Sequence, residues 1–217
     1  MQEVIDRGAM PAAKPGPGTL APAKPGAADQ ARHADGGCGP RIERAARVPV
    51  DCGDLPFLIK RDGTWLYRGS PIGRKELVCL FSSVLRRDAE GKFYLQTPAE
   101  RGRIEVEDVP YLAVELDWSG EGRSQTLSFR TNVDQVITLG PEHRLRVAHD
   151  LLTCEPTPYL HVRDGDGAFP IEARISRAVY YELVALAEPH QVRCQRMLGV
   201  WSGGVFFPLG EMPPGEA

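Results

Sequence analysis

The stretch Tyr159-Leu160-His161-Val162-Arg163-Asp164-Gly165 contains a short apolar strand and a turn, and the same pattern occurs earlier in the chain. Upstream, Phe57–Ile59 leads into Arg61–Gly63, in which the Asp-Gly dipeptide is typical of a hairpin turn. A helical run opens nine residues after the first turn, at Ile72, and ten residues after the second, at Ile175. The sequence therefore predicts a duplicated strand–turn–helix unit.

Both predicted helices carry one apolar stripe at matching positions. Counted from the isoleucine that opens each run, the same four offsets are apolar: Leu77, Leu80, Phe81 and Val84 in the first copy, and Tyr180, Leu183, Val184 and Ala187 in the second. This i, i+3, i+4, i+7 spacing is typical of a half-buried helix. We predict the first helix over about Arg74–Arg87 and the second from Ile175 to Glu188.

The rest of the chain from Val48 onwards is rich in short strand-like segments separated by polar turns. They lie at 93–97, 103–107, 111–118, 125–130, 135–139, 144–148 and 197–207. In the last of them, Gly203-Gly204 supplies the positive φ of a tight hairpin turn, and Trp201 and Phe206 are expected to pair across it. Consecutive strands with short turns predict curled antiparallel sheets. The expected fold is α+β, with two related halves that each carry one helix.

Composition limits the classes of protein to which the chain can belong. Its 217 residues are 42% hydrophobic and 25% charged, and the net charge is −3. A slightly acidic chain has no general attraction to nucleic acid or anionic membranes. No apolar run approaches the roughly 18 residues of a membrane span, and the N-terminus lacks the pattern of a signal peptide. We expect a cytoplasmic protein without a nucleic-acid or membrane partner.

The same composition suggests how the chain is divided. Residues 1–47 are rich in Ala, Pro and Gly and hold too little apolar surface to offset chain entropy, so they are predicted to be a disordered arm. The expected first half covers 48–103, the expected second half covers 104–210, and 211–217 form a loose tail.

Several short motifs together resemble a known family. They are Arg61-Asp62-Gly63-x-Trp65, Tyr94-Leu95-Gln96-Thr97-Pro98-x-Glu100, Val106–Pro110, Thr131–Asp134, Pro158–Arg163 and Gly199–Phe207. In combination they are similar to the bacterial domain-of-unknown-function 1285 family over roughly residues 55–210. The resemblance implies a duplicated α+β core whose second half is like a pleckstrin-homology barrel. It also implies a cleft between the halves that takes a nucleotide-like ligand in signalling, with no established enzymatic activity.

Four arginines occupy equivalent places in the two copies. Arg74 and Arg177 lie at the first turn of each predicted helix, where a cation is unfavourable because the helix dipole is positive there. Either a bound anion or an acidic side chain would compensate. Arg61 and Arg163 directly precede Asp-Gly in the two turns and allow the same two interpretations.

Two further cations extend this pattern. Arg144 and Arg146 alternate on one predicted strand and therefore share a face. Together with Arg163 they predict a cationic floor, although a strand that simply faces solvent shows the same spacing.

Aromatic and polar residues complete the candidate set. Tyr94, Tyr159, Tyr181 and Trp201 are candidates to stack on a base, or else are core residues. Asn132 and Asp134 form either an Asx turn or an interdomain hydrogen-bond clamp on a ligand. The predicted ligand-binding residues between the halves are Arg61, Arg74, Tyr94, Thr97, Asn132, Asp134, Tyr159, Arg163, Arg177, Tyr181 and Trp201.

Catalytic and metal-binding patterns are weak. Glu105 with Glu107 and Glu115 with Asp117 are paired carboxylates, but their alternation fits a polar strand face as well as a catalytic pair. The histidines have no zinc-site spacing, and the chain contains neither a phosphate-binding loop nor a nucleophile elbow. We predict no catalytic residue, metal or cofactor, and an enzymatic function is disfavoured. The leading hypothesis is a protein that binds a small anionic or nucleotide-like ligand; the alternative is a protein-interaction adaptor.

Overall fold

The computed structural model describes residues 48–150 and 152–212, which belong to one compact unit. The predicted disordered arm over 1–47 lies outside the described residues, as does most of the predicted tail. Neither of the two helices in the described ranges is long and apolar enough to cross a membrane.

The first half is a six-stranded sheet that carries one helix. Its elements are β1 (Val50–Ile59), β2 (Trp65–Tyr67), β3 (Ser70–Pro71), α1 (Lys75–Ser83), β4 (Leu85–Arg87), β5 (Phe93–Gln96) and β6 (Glu100–Val106). The strand order is β3-β2-β1-β6-β5-β4. β1 and β6 are parallel, and the other neighbours are antiparallel.

The second half has a curled six-stranded half-barrel, one helix and a smaller sheet. Its elements are β7 (Tyr111–Ser119), β8 (Thr126–Thr131), β9 (Val136–Thr138), β10 (Leu145–His149), β11 (Pro156–Arg163), β12 (Ile171–Ile175), α2 (Arg177–Ala185), β13 (Glu188–Val192), β14 (Gln195–Ser202) and β15 (Val205–Glu211). The strand orders are β10-β11-β12-β7-β8-β9 and β13-β14-β15. Among the described strand pairs of this second half, only β12 and β7 are parallel. The predicted α+β architecture with one helix per half is confirmed.

The predicted repeat corresponds to a longer unit in the structure. β1-β2 and β11-β12 are both antiparallel hairpins that lead to a helix, and each helix is followed by a three-stranded meander. In the first half the meander joins the hairpin through the β1–β6 pair, which makes one continuous sheet. In the second half β10 pairs beside β11 instead, so the meander forms a separate sheet.

Both helices are shorter than predicted, and in each case strand pairing replaces the last helical turn. α1 ends at Ser83, and the residues that follow pair with β5 across a turn in which Gly91 has φ +83°. α2 ends at Ala185, and Pro189, which cannot continue a helix, lies in β13 opposite Leu198. The apolar stripe of α1 is also less buried than expected, because its Leu80 is 59% exposed.

One hydrophobic core runs through both halves. Trp65 of the first half and Tyr111 and Phe129 of the second are its largest fully buried side chains. Trp201 and Phe206 pair across the last hairpin as predicted, with ring centroids 5.2 Å apart. The shared core fixes the position of the residues at the junction of the halves.

Candidate functional site

Asn132 connects the two halves through its side-chain amide. Its Oδ1 accepts a hydrogen bond from Leu112 N at 3.1 Å, and its Nδ2 donates to Gly63 O at 3.1 Å. Gly63 has φ +82°, and a Cβ there would lie 2.7 Å from that Nδ2. The amide is therefore engaged with backbone groups of both halves, and Gly63 allows its close approach.

Asp134 lies next to this contact and forms an ion pair across the junction. Its Oδ1 is 2.6 Å from Lys75 Nζ, and its φ is +61°. Both side chains are more than half exposed, so solvent screens this pair and it contributes little to stability.

Arg163 is the most extensively bonded of the predicted arginines. Its Nη2 donates to Ser82 O at 3.0 Å and Leu85 O at 2.9 Å, both in the first half, and lies 3.0 Å from Tyr111 Oη. Its Nε is buried without a hydrogen-bond partner among the described residues. Because the carbonyls at the end of a helix lack intrahelical partners, the bond to Ser82 O caps α1 from the other half, and the bond to Leu85 O holds the start of β4.

The Tyr111 hydroxyl makes the stability of the junction depend on pH. Its hydroxyl donates to Ser82 O at 3.1 Å. Burial raises the pKa of Tyr111 above its ordinary value, and the nearby positive charge of Arg163 opposes that rise only in part. The folded protein therefore holds this proton more tightly than the unfolded chain does.

We predict that Tyr111→Phe lowers the free energy of unfolding by about 1 kcal/mol near neutral pH, because a buried hydrogen bond is lost. A raised folded pKa stabilises the protein fully below about pH 10, and this stabilisation is lost as pH rises through the folded pKa. The difference between wild type and the variant should therefore shrink above about pH 10 in urea titrations. A difference that stays constant across this range would contradict the prediction.

Arg87 connects the first half to the loop before β12. Its Nη1 donates to Pro170 O at 2.6 Å and its Nε to Gly91 O at 3.1 Å. Its guanidinium carbon lies 4.7 Å from the ring centroid of Phe93 and 5.3 Å from that of Phe169. These contacts fill the junction here with protein groups.

A ladder of three side chains crosses the polar face of the half-barrel. Arg146, Tyr159 and Arg174 occupy paired positions on β10, β11 and β12. The Arg146 guanidinium carbon lies 4.2 Å from the centroid of the Tyr159 ring. Tyr159 donates to Asp108 at 3.1 Å, and Arg174 lies 3.7 Å from the same carboxylate. Tyr159 is only 9% exposed, so its ring is covered by protein.

Glu172 is a buried carboxylate that the sequence analysis missed. Arg146 donates to it twice, from Nε to Oε1 and from Nη2 to Oε2, both at 2.6 Å. These hydrogen bonds raise the pKa of Arg146. In the sequence, Glu172 lies between Ile171 and Ala173 and looks like a polar strand residue that faces solvent. It comes close to Arg146 only because β10 and β12 both pair with β11 in a particular register.

The three arginines expected on one floor line the same cavity of about 830 Å³. We name this cavity the junction groove; its wall also holds His143, His161, Glu142, Asp164 and Glu172. His161 Nε2 lies 3.0 Å from Asp164 Oδ1, and His143 Nδ1 lies 3.1 Å from His161 O. The groove belongs to the second half, and Arg163 connects its wall to α1.

Arg177 and Tyr181 meet in a second cavity of about 430 Å³ at the start of α2. We name it the α2 pocket; its lining includes Glu155, Pro156, Pro158, Arg174 and Tyr180. Arg177 forms an ion pair with Glu155.

Three predicted residues lie in turns or at a helix start away from both cavities. Arg61 is exposed, and its backbone N donates to Glu107 Oε2 at 2.8 Å. Arg74 is the exposed N-cap of α1 and makes no side-chain cap bond. Thr97 stabilises the β5–β6 turn, where its Oγ1 accepts from Glu100 N at 3.0 Å.

The other two predicted aromatic residues each have an arginine over the ring. The guanidinium carbon of Arg101 lies 3.7 Å from the ring centroid of Tyr94. The guanidinium carbon of Arg123 lies 4.9 Å from the ring centroid of Trp201, and the Trp201 ring also contacts Phe206. The eleven candidates are therefore spread over several places, and their roles in ligand binding stay predictions.

No group of three or more His, Cys, Asp or Glu side chains within 48–150 and 152–212 is arranged to hold a metal ion.

Two family models cover most of the chain. One, described as the N-terminal domain of DUF1285, a domain of unknown function, matches residues 45–109. The other, described as the C-terminal domain of the DUF1285 protein of unknown function, matches residues 110–209. The chain belongs to the DUF1285 family. The two DUF1285 models meet in the loop between β6 and β7, and β6 spans the border that the sequence placed at 103/104.

Solved DUF1285 structures resemble this chain. The crystal structure of a DUF1285 family protein from Silicibacter pomeroyi DSS-3 at 2.50 Å resolution is 43% identical, with a TM-score of 0.67, over 76% of this chain and 85% of that one. A DUF1285 family protein from Shewanella baltica OS155 at 1.40 Å resolution is 24% identical, with a TM-score of 0.46, over 60% of this chain and 91% of that one. No curated protein matches the chain.

Proposed function

We propose that this DUF1285 protein binds a small anionic, nucleotide-like ligand in the junction groove, in a signalling role. The observation that carries the proposal is the set of three guanidiniums and two imidazoles around one cavity of about 830 Å³. A volume of several hundred cubic ångströms is typical of small-molecule sites.

Arg144 is the cation best placed to meet an anion. Glu172 engages Arg146, Asp164 engages His161, and backbone carbonyls engage Arg163. Among the described residues, the Arg144 side chain is hydrogen-bonded only through Nε, to Pro141 O at 3.0 Å. Its remaining donors are free for a phosphate or carboxylate, which guanidinium binds in a bidentate fork.

The histidine rings provide flat surfaces beside this cation. The centroids of His143 and His161 are 5.9 Å apart, with the ring planes at 37°. Bases stack on imidazole as on other aromatic rings. An anionic group on Arg144 with a base against a histidine ring is therefore the binding mode that we expect.

Arg163 gives a route from the groove to the first half. It lines the cavity and also donates to Ser82 O of α1 and Leu85 O of β4. A ligand that favours one arrangement of Arg163 would shift the population of that arrangement, as a signalling module requires.

A thermal-shift screen with AMP, GMP, ATP, GTP and their cyclic monophosphates tests this function. A nucleotide at about 100 times its Kd should stabilise the protein by about 2.7 kcal/mol, which raises Tm by several degrees. Arg144→Glu should abolish that shift. Arg86→Glu is the matched control, because Arg86 is exposed on β4 outside the groove. No shift with any nucleotide, or equal shifts in wild type and Arg144→Glu, would refute the proposal.

A second function, as a peptide-binding adaptor, is favoured by one feature of the half-barrel. The edge strands β10 and β15 lie close together without pairing, and a cavity of about 510 Å³ lined by Leu145, Val147, Met197 and Leu209 separates them. Unpaired strand edges can accept an extended peptide. A native mass spectrum of freshly purified protein with a stoichiometric protein partner and no small molecule would favour this function over the first.

A further inference from the structure

We propose that the α2 pocket is a second binding site, separate from the junction groove, for a small organic anion that carries one phosphate or carboxylate on a flat ring. This inference does not depend on the proposed function, because the two cavities have no lining residue in common.

The walls of the α2 pocket are suited to a flat apolar body. Pro156 and Pro158 of β11 and Ile175 of β12 lie on one side, and Tyr180 and Tyr181 of α2 on the other. Tyr181 is 64% exposed, so its ring face is open to a ligand. The Tyr180 hydroxyl is a hydrogen-bond donor at neutral pH, as any tyrosine is, and burial raises its pKa further.

The ion pair at the mouth shows where an anionic group belongs. Glu155 places its carboxylate on Arg177, and the two side chains are 51% and 69% exposed. Ion pairs this exposed contribute little free energy, so a ligand anion can replace the glutamate at small cost. Glu155 therefore acts as a built-in competitor for the anion.

Arg174 provides a second cation at the same mouth. It lines the pocket, and its distance of 3.7 Å to Asp108 is longer than a hydrogen bond. Its donors are thus incompletely used by that carboxylate. The lining itself holds two guanidiniums and one glutamate, and Asp108, outside the lining, offsets part of the charge of Arg174.

Size limits the class of ligand. A cavity of about 430 Å³ is roughly half the volume of the junction groove. It is sufficient for one ring and one anionic group, which is why an aryl phosphate or aryl carboxylate fits better than a nucleoside triphosphate.

Binding of phenyl phosphate and of inorganic phosphate, measured by calorimetry and by amide chemical shifts of the full chain, tests this site. We expect saturable binding of phenyl phosphate that Arg177→Gln weakens about tenfold, because a charge-assisted bond is lost. Glu155→Gln should strengthen it severalfold by removing the competitor. Tyr181→Ala should weaken phenyl phosphate but not inorganic phosphate. Arg86→Glu, exposed on β4 outside both cavities, should leave both unchanged.

Three outcomes would overturn the proposal. One is no saturable binding of phenyl phosphate below about 10 mM. Another is equal affinity in wild type, Arg177→Gln and Glu155→Gln. The third is inorganic phosphate binding as tightly as phenyl phosphate, which would remove the role of the tyrosine wall. The variants alter exposed side chains, so loss of folding does not obscure the result.

Discussion

Replacing Arg163 with Met lowers the free energy of unfolding by about 3 kcal/mol and lowers Tm by about 6–12 °C. The variant loses the bonds from Nη2 to Ser82 O, to Leu85 O and to Tyr111 Oη. Methionine fills a similar length but has no donor, so Ser82 O of α1 and Leu85 O of β4 are left with fewer partners. A hydrogen bond from a charged group contributes about 1.5–3 kcal/mol, and leaving its buried partners unsatisfied adds to the loss.

Urea titration measures this effect, with Arg144→Met as the matched control. Arg144 lines the same groove, but the only hydrogen bond of its side chain among the described residues goes to Pro141 O. We expect the control to stay within about 0.5 kcal/mol of wild type, as surface substitutions usually do. If both variants are equally stable, Arg163 does not hold the halves together.

Replacing Gly165 with Ala destabilises the protein by about 3 kcal/mol or more, because two backbone oxygens occupy the space of the new methyl group. A Cβ at Gly165 would lie 2.4 Å from Phe169 O and 2.9 Å from Arg87 O. The first contact is within the loop, and the second is across the junction with β4. Backbone atoms cannot move aside as a flexible side chain would, so one strand or the loop must shift.

Gly140→Ala is the control for this prediction. A Cβ at Gly140 would meet nothing within 4 Å, so alanine there should be neutral or slightly stabilising through the unfolded chain. Thermal denaturation of both variants compares them under one condition. Equal Tm values would mean that the approach of the loop at 164–170 to β4 is looser than the structure indicates.

Local patterns in the sequence were sufficient to predict many of the helices, strands and turns, but not which strands pair with each other. The stripe in each helix, the Asp62-Gly63 turn and the Trp201–Phe206 hairpin are short-range features, and the structure contains all three. The last turns of both helices were predicted wrongly, because β4 and β13 form through pairing with later strands. The parallel pairs β1–β6 and β12–β7 join strands distant in sequence, which periodicity cannot reveal.

The candidate site was harder to predict for the same reason. Sequence spacing singled out Arg163, but its partners Ser82 O and Leu85 O are about 80 residues away. The alternation of Arg144 and Arg146 predicted that they share a strand face. The pairing of Arg146 with Glu172 could not be predicted, because it depends on the strand register. The sequence shows which side chains are charged, but it does not show which groups neutralise those charges in the folded protein.

The central claim is that the junction groove binds a small anionic ligand through Arg144, and isothermal titration calorimetry tests it most directly. The full chain, Arg144→Glu and Arg86→Glu would each be titrated with the nucleotide that gives the largest thermal shift. We expect one-site binding by wild type and Arg86→Glu, and affinity at least about tenfold weaker in Arg144→Glu. Absence of binding heat with every nucleotide, or equal affinity in all three proteins, would contradict it.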